Sequence, residues 1–201
     1  MRRPSHVVGA VALGAALCLT SACSGSGSSP SSATTPTATG PTVRVPSGVT
    51  TTAPGTTLSL GRSAVVPYVA NPRKKSVIAV AVTKVVKGSI RRDFRNFVLS
   101  AHQRRSVPYY VSVRVRNDGP GQLGGLGVPV FSFDTTHTAT SATELRGSFK
   151  PCKGGNLPAK FGPRSRTRLC LVYLLPHGAR LTGVQLRTSN TTPPVQWSLK
   201  H

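Results

Sequence analysis

Apolar and polar positions along most of the chain recur in short runs with a period of two. Val107–Asn117 is the clearest case. Val107, Tyr109, Val111, Val113 and Val115 share one face, and Pro108, Tyr110, Ser112, Arg114 and Arg116 the other. That alternation predicts a half-buried strand with a basic outer face, stopped by Asn117-Asp118-Gly119-Pro120-Gly121. Val77–Val86 is nearly all apolar and reads as a buried strand. Val128–Asp134 follows, with Pro129 restricting it to an edge or a strand start. Thr143–Phe149, Leu169–Leu175 (ended by Pro176), Arg180–Thr188 and Val195–Leu199 complete the set. In the last, Val195, Trp197 and Leu199 alternate with Gln196, Ser198 and Lys200. Gly88–Arg105 reads as a long loop with a helical turn around Asp93–Leu99. Seven or eight short strands without a three-turn helix predict an all-β fold, an antiparallel sandwich rather than a barrel. The pattern leaves open whether Leu58–Lys75 adds a strand.

The N-terminus has a different texture. Arg2 and Arg3 precede an uncharged, mostly apolar run from Val7 to Leu19, too short to span a bilayer and suited to a signal peptide. Thr20-Ser21-Ala22-Cys23, followed by Ser24-Gly25-Ser26-Gly27, resembles the lipobox of bacterial lipoproteins. The resemblance implies cleavage after Ala22 and a diacylglycerol on the Cys23 thiol, hence a membrane anchor at the extracytoplasmic face. Thr20 stands where that family commonly has Leu. The alternative is an ordinary secretory signal cut near Ala22 that leaves Cys23 free. With Cys18 in the signal and Cys23 on lipid, Cys152 and Cys170 remain as an even pair in an oxidising compartment. No second thiol or histidine pair accompanies them to complete a zinc site, so a structural disulfide is expected.

From Ser24 to Thr57, 30 of 34 residues are Ser, Thr, Gly, Pro or Ala. That stretch offers little apolar surface against its ordering entropy. It reads as a tether with a coil span of roughly 30–35 Å. The expected organisation is a signal peptide over 1–22, a lipidated Cys23 and flexible tether over 23–60, and one β-domain over 61–201.

Tyr109-Tyr110-Val111, Asn117-Asp118-Gly119, the segment Cys152…Leu157…Gly162…Cys170-Leu171-Val172, Pro176 and the terminal Trp197 together resemble a set of domains in actinobacterial secreted lipoproteins. Those domains are immunoglobulin-like sandwiches behind a Ser/Thr-rich stalk, most without an assigned function. The resemblance covers roughly residues 76–199 and implies an immunoglobulin-like fold with Cys152 tied to the Cys170 strand. It brings no catalytic residues.

Charge changes the picture most. The 201-residue chain carries 26 Lys and Arg against 4 acids, a formal net charge of +22. Asp93, Asp118, Asp134 and Glu144 are scattered, which argues against paired-carboxylate catalysis and calcium cages. His102, His137, His177 and His201 have no spaced partner, no GxSxG elbow is present, and the glycine pairs at 124–125 and 154–155 precede no helix with a phosphate-loop lysine. No catalytic residue, metal ligand or cofactor is therefore assigned. Trp197 reads as a core residue, with ligand stacking as its alternative role.

Arg164, Arg166 and Arg168, at alternate positions, would place three guanidiniums on one side of an extended segment. Together with Arg114, Arg116, Arg91 and Arg92 they are the candidate anion-binding residues. The competing account is a generally cationic, solvated surface fed by coding bias. Nucleic acid is not expected as a partner, because stacking aromatics are scarce and the chain is exported. The expected function is a non-enzymatic, lipid-anchored envelope protein binding anionic lipid, a phosphorylated wall polymer or an acidic protein through a basic face. The alternative is an accessory subunit of a membrane complex that docks through a strand edge.

Overall fold

The computed structural model describes residues 42–199. The expected signal peptide, the expected lipidation at Cys23 and the expected tether up to residue 41 lie outside the described residues. In chain order the elements are β1 (Thr57–Leu58), β2 (Ser63–Asn71), β3 (Lys74–Lys87), α1 (Ile90–Asp93), α2 (Ala101–Arg105), β4 (Val107–Asn117), β5 (Val130–Asp134), β6 (Ala139–Ser141), β7 (Arg166–Leu175), β8 (Leu181–Leu186) and β9 (Val195–Ser198). They form two facing sheets, one ordered β1-β9-β8-β5-β6 and the other β2-β3-β4-β7. All neighbours are antiparallel except β1 and β9, which run parallel. The all-β sandwich is thus what the alternation predicts, with nine strands among the described residues where seven or eight were expected. β4 beside β7, facing β5, β8 and β9, is the strand order of an immunoglobulin-like sandwich.

The core is built from the inward halves of the alternating strands. Ile78, Val80 and Val82 of β3, Val111, Val113 and Val115 of β4, and Leu169, Leu171, Tyr173 and Leu175 of β7 come from one sheet. Val130, Leu181, Val184, Leu186, Val195 and Trp197 come from the other. Trp197 is fully buried, and its indole N–H donates to the Arg62 carbonyl at 2.9 Å. The core role expected for it is the one it has. The buried Tyr173 hydroxyl crosses between sheets to donate to the Val130 carbonyl at 2.8 Å, and burial raises its pKa.

Three expectations are corrected. The tether does not run to residue 60. The Thr52 amide donates to the Val65 carbonyl and the Thr52 hydroxyl accepts from the Val65 amide, so this segment lines the outer edge of β2. It then crosses to the other sheet, where β1 pairs with β9, and returns as Gly61 N–H bonds the Val82 carbonyl. Unpaired strand edges demand backbone partners, and a Ser/Thr/Gly segment supplies them with little side-chain entropy to lose. Second, Thr143–Phe149 is not a strand. The strand is Ala139–Ser141, and the following chain leaves the sheet through a left-handed Gly147, φ 95°. Third, the helical turn expected at 93–99 is replaced by two short helices flanking that stretch, N-capped by Ser89 and Ser100.

Those helices belong to a small third layer on the outer face of the four-stranded sheet. Phe94, Leu99, Tyr110, Phe149, Cys152 and Val172 form a satellite cluster. Phe149 packs on Phe94, Phe97 and Tyr110 with ring centroids 4.7, 5.5 and 5.6 Å apart. The expected Cys152–Cys170 disulfide is present and fastens this layer to β7. Its other clasp is Asp93, whose carboxylate accepts from the Arg92 Nε–H, the Ser89 amide and the Tyr110 hydroxyl at 2.7–2.8 Å. The Arg92 hydrogen bond leads these effects, and together they outweigh burial and hold the Asp93 pKa at about 2, against an ordinary 3.8. Burial, then Asp93, pushes the Tyr110 phenol upward.

Two outcomes follow. Replacing both cysteines by Ser should cost about 3 kcal/mol, the value for closing a loop of this length. The check is urea unfolding with and without reductant; the variant should be insensitive to it. For Asp93 the folded pKa is depressed, so its stabilisation is complete above pH 4 and drains away as the pH falls toward 2. Asp93→Asn should therefore lower stability by roughly 1–2 kcal/mol at pH 6. The gap from the parent should narrow below pH 4 and close only below about pH 2 in thermal melts.

Candidate functional site

Beyond the satellite layer, the outer face of the same sheet is open and basic. β4 and β7 pair so that Arg114 stands opposite Arg168 and Arg116 opposite Arg166. Opposed antiparallel positions lie about 4.5–5.5 Å apart and alternate positions along a strand about 7 Å apart. The four arginines therefore rise from a rectangle of roughly those dimensions, all with exposed side chains. Next in register on β3 are Ala79 and Ala81, then Val65 and Ser63 on β2. The small alanines leave a trough beside the arginine rows, a hollow of about 690 Å³ bounded by Ser63, Ala79 and the four arginines.

A second hollow of about 600 Å³ adjoins it at the strand ends, lined by Arg116, Arg164, Arg166 and Asp118 with Gly48, Val49 and Thr50. Asp118 pairs with Arg116 through two guanidinium nitrogens, and that hydrogen bond raises the Arg116 pKa. Among the described residues, the ion pairs are Arg116–Asp118 and Arg92–Asp93. Arg114, Arg164, Arg166 and Arg168 thus have no carboxylate neighbour in contact. What the arrangement can do chemically is accept anionic oxygens, since guanidinium forks match phosphate and sulfate geometry.

The structure redistributes the expected anion-binding residues. Arg114, Arg116, Arg166 and Arg168 come together. Arg164 does not continue the row: its backbone is left-handed, φ 62°, and its amide turns to the Asn117 carbonyl. It reaches the adjoining hollow instead of one face of an extended segment. Arg91 and Arg92 sit on α1 at the opposite end of the sheet face, beyond the row Lys84–Ser112 and its neighbour Cys170. They belong to a separate surface. Sequence reading did not anticipate Ala79 and Ala81, and only their alternation with Val80 and Val82 hinted at an outward small-residue row.

His137 lies in a turn beside Asp134, above a hollow of about 390 Å³ that Ser198 also lines. Asp134 is buried, yet its Oδ1 is taken by the Thr136 amide and hydroxyl and the Thr138 amide. Those bonds, with the charge of His137, override desolvation and lower its pKa. Its Oδ2 has no partner, so no hydrogen bond joins it to His137 and no Ser–His–Asp relay is assembled there. A further hollow of about 400 Å³ lies between β5 and the disulfide-bearing loop, with Val130, Phe131, Leu145, Phe149 and Glu144 on its walls.

In comparisons with known proteins, the chain matches no family model, no curated protein and no solved structure.

Like charges placed directly across a strand pair destabilise it. Arg168→Gln should therefore raise stability on the order of 0.2–1 kcal/mol at low salt. The gain should vanish at 0.5 M salt, where screening acts within about 4–5 Å. Thermal melts at two ionic strengths check this.

Proposed function

We propose that this protein is a non-enzymatic, lipid-anchored module of the cell envelope whose outer arginine face holds a linear polyanion, namely a polymer bearing phosphate or sulfate groups. The observation that carries the reading is the pair of directly opposed arginine couples, Arg114–Arg168 and Arg116–Arg166, beside an alanine trough. The fold tolerates a repulsion there that a ligand of the opposite sign would relieve. Rows of charge repeating every 7 Å along two strands suit an extended anion better than a compact one. The disulfide supports an oxidising compartment, and the lipobox-like Ala22-Cys23 supports an anchor.

The strand-edge alternative has less to stand on. The outer edge of β2 is engaged by Thr52, and β7 receives Thr143 at Val172 and offers Cys170 to Gly154.

The test uses inorganic polyphosphate and a sulfated polysaccharide as probes. Affinity should fall steeply and log-linearly with salt as counterions are released. Substituting Arg114, Arg116, Arg166 and Arg168 together by Gln should lower affinity at 50 mM salt at least 30-fold, about 2 kcal/mol, without lowering the melting temperature. Affinity that is flat with salt, or unchanged in the variant, would count against the proposal.

A further inference from the structure

A second surface, at the other end of the same sheet, combines features that the arginine face lacks. Residues 90–105 fold as two very short helices joined by an irregular stretch. Helices this short do not persist alone. Here Phe94 and Leu99 drop into the satellite cluster and Asp93 clasps Tyr110, so the stretch between them is held up on a packed base. On that base Phe97 is half-buried against Phe94 and Phe149, while the next side chain, Val98, is wholly exposed at 103%. Val86, next to Tyr110 in register and 39% exposed, adds a second apolar element beside the cluster.

The segment and the adjoining end of β3 are cationic. Lys84, Lys87, Arg91, Arg95, Arg104 and Arg105 are all exposed. The sole acid between residues 84 and 105 is Asp93, which is already occupied by Arg92, Ser89 and Tyr110. A single exposed valine needs no explanation. A fully exposed valine between side chains that drop into a packed base, on a segment carrying several exposed arginines, does call for one. It matches the layered chemistry of a bilayer interface, with hydrocarbon beneath a plane of phosphates.

We infer that the 90–105 segment is a membrane-contacting element, in which Val98 enters the acyl region and the surrounding Arg and Lys side chains engage anionic lipid headgroups. A soluble polyanion would satisfy the cations but leave Val98 in water, which is why the bilayer is favoured over a polymer here. The inference is independent of the arginine face, which lies at the far end of β4.

The experiment uses the full-length chain carrying Val98→Trp, with vesicles of phosphatidylcholine alone or mixed with phosphatidylglycerol and brominated on their acyl chains. The parent chain, whose one indole is the core Trp197, serves as the blank. The added indole should shift to shorter wavelength and be quenched at least twofold in anionic vesicles, and should respond little to phosphatidylcholine alone. Arg91, Arg95 and Arg105 changed together to Gln should weaken the response tenfold or more. Gln at Arg114, Arg116, Arg166 and Arg168 should leave it unchanged, which separates failure of this idea from failure of polyanion binding.

Absence of acyl-chain quenching, or equal quenching in both vesicle types, would overturn the inference. So would polyphosphate alone shielding position 98 from aqueous acrylamide. A Val98→Asp chain provides an independent measurement: its affinity for anionic vesicles should drop at least tenfold at an unchanged melting temperature, and unchanged affinity would overturn the inference as well.

Discussion

The register of β4 between β3 and β7 is the constraint on which the rest of the molecule depends. In the observed register Val111, Val113 and Val115 enter the core and Arg114 and Arg116 face out. Side chains alternate with a period of two, so a slip of one residue would exchange the two sets and drive guanidiniums into an apolar interior. Asn117 pins the strand at one end. It is fully buried, accepts from the Ser76 hydroxyl and the Gly119 amide, and donates to the carbonyls of Gly121 and Phe161. Gly121 makes this possible, because a Cβ there would stand 1.8 Å from the Lys75 carbonyl oxygen. Toward the other end, a bulge between Val82 and Lys84 of β3 resets the pairing so that Val85 faces inward and Val86 outward.

One sheet face is thereby divided into two environments by a single strand. Tyr110 of β4 belongs to the satellite layer, and Arg114 and Arg116 lie beyond it, with Ser112 opposite Cys170 at the boundary. The disulfide sits at that boundary and fastens the covering layer to β7. The layer cannot extend further along the strand without burying the guanidiniums of Arg114 and Arg168, which have no carboxylate in contact, at a cost no small aromatic cluster could offset. Coverage stops where the charge begins.

This explains which features were legible in the sequence. Alternation is local, so the strands, the inward valines and the outward arginines of β4 could be read directly. The opposition of Arg114 to Arg168 depends on pairing between segments about fifty residues apart, and no local pattern encodes it. Reading 164, 166 and 168 as one row assumed an extended backbone that the turn at Arg164 does not have. The N-terminal segment was misread for another reason. Its composition lacks apolar surface, and composition is a sound guide where burial drives order, but residues 52–61 are ordered by backbone bonds to strand edges. Asn117 looked like a strand stop; that its amide satisfies four partners could be seen only once Ser76, Gly121 and Phe161 surrounded it.

Coding bias toward arginine can account for how many arginines a chain has, but it is indifferent to where they face. Scattered arginines on a solvated surface repel little and need no compensation. Two couples placed across a strand pair, flanked by alanines and served by one carboxylate, are a specific arrangement with a stability cost. The trough also adjoins residues 48–50, which line the hollow holding Arg116, Arg164 and Arg166. The chain therefore enters the domain alongside the arginine face.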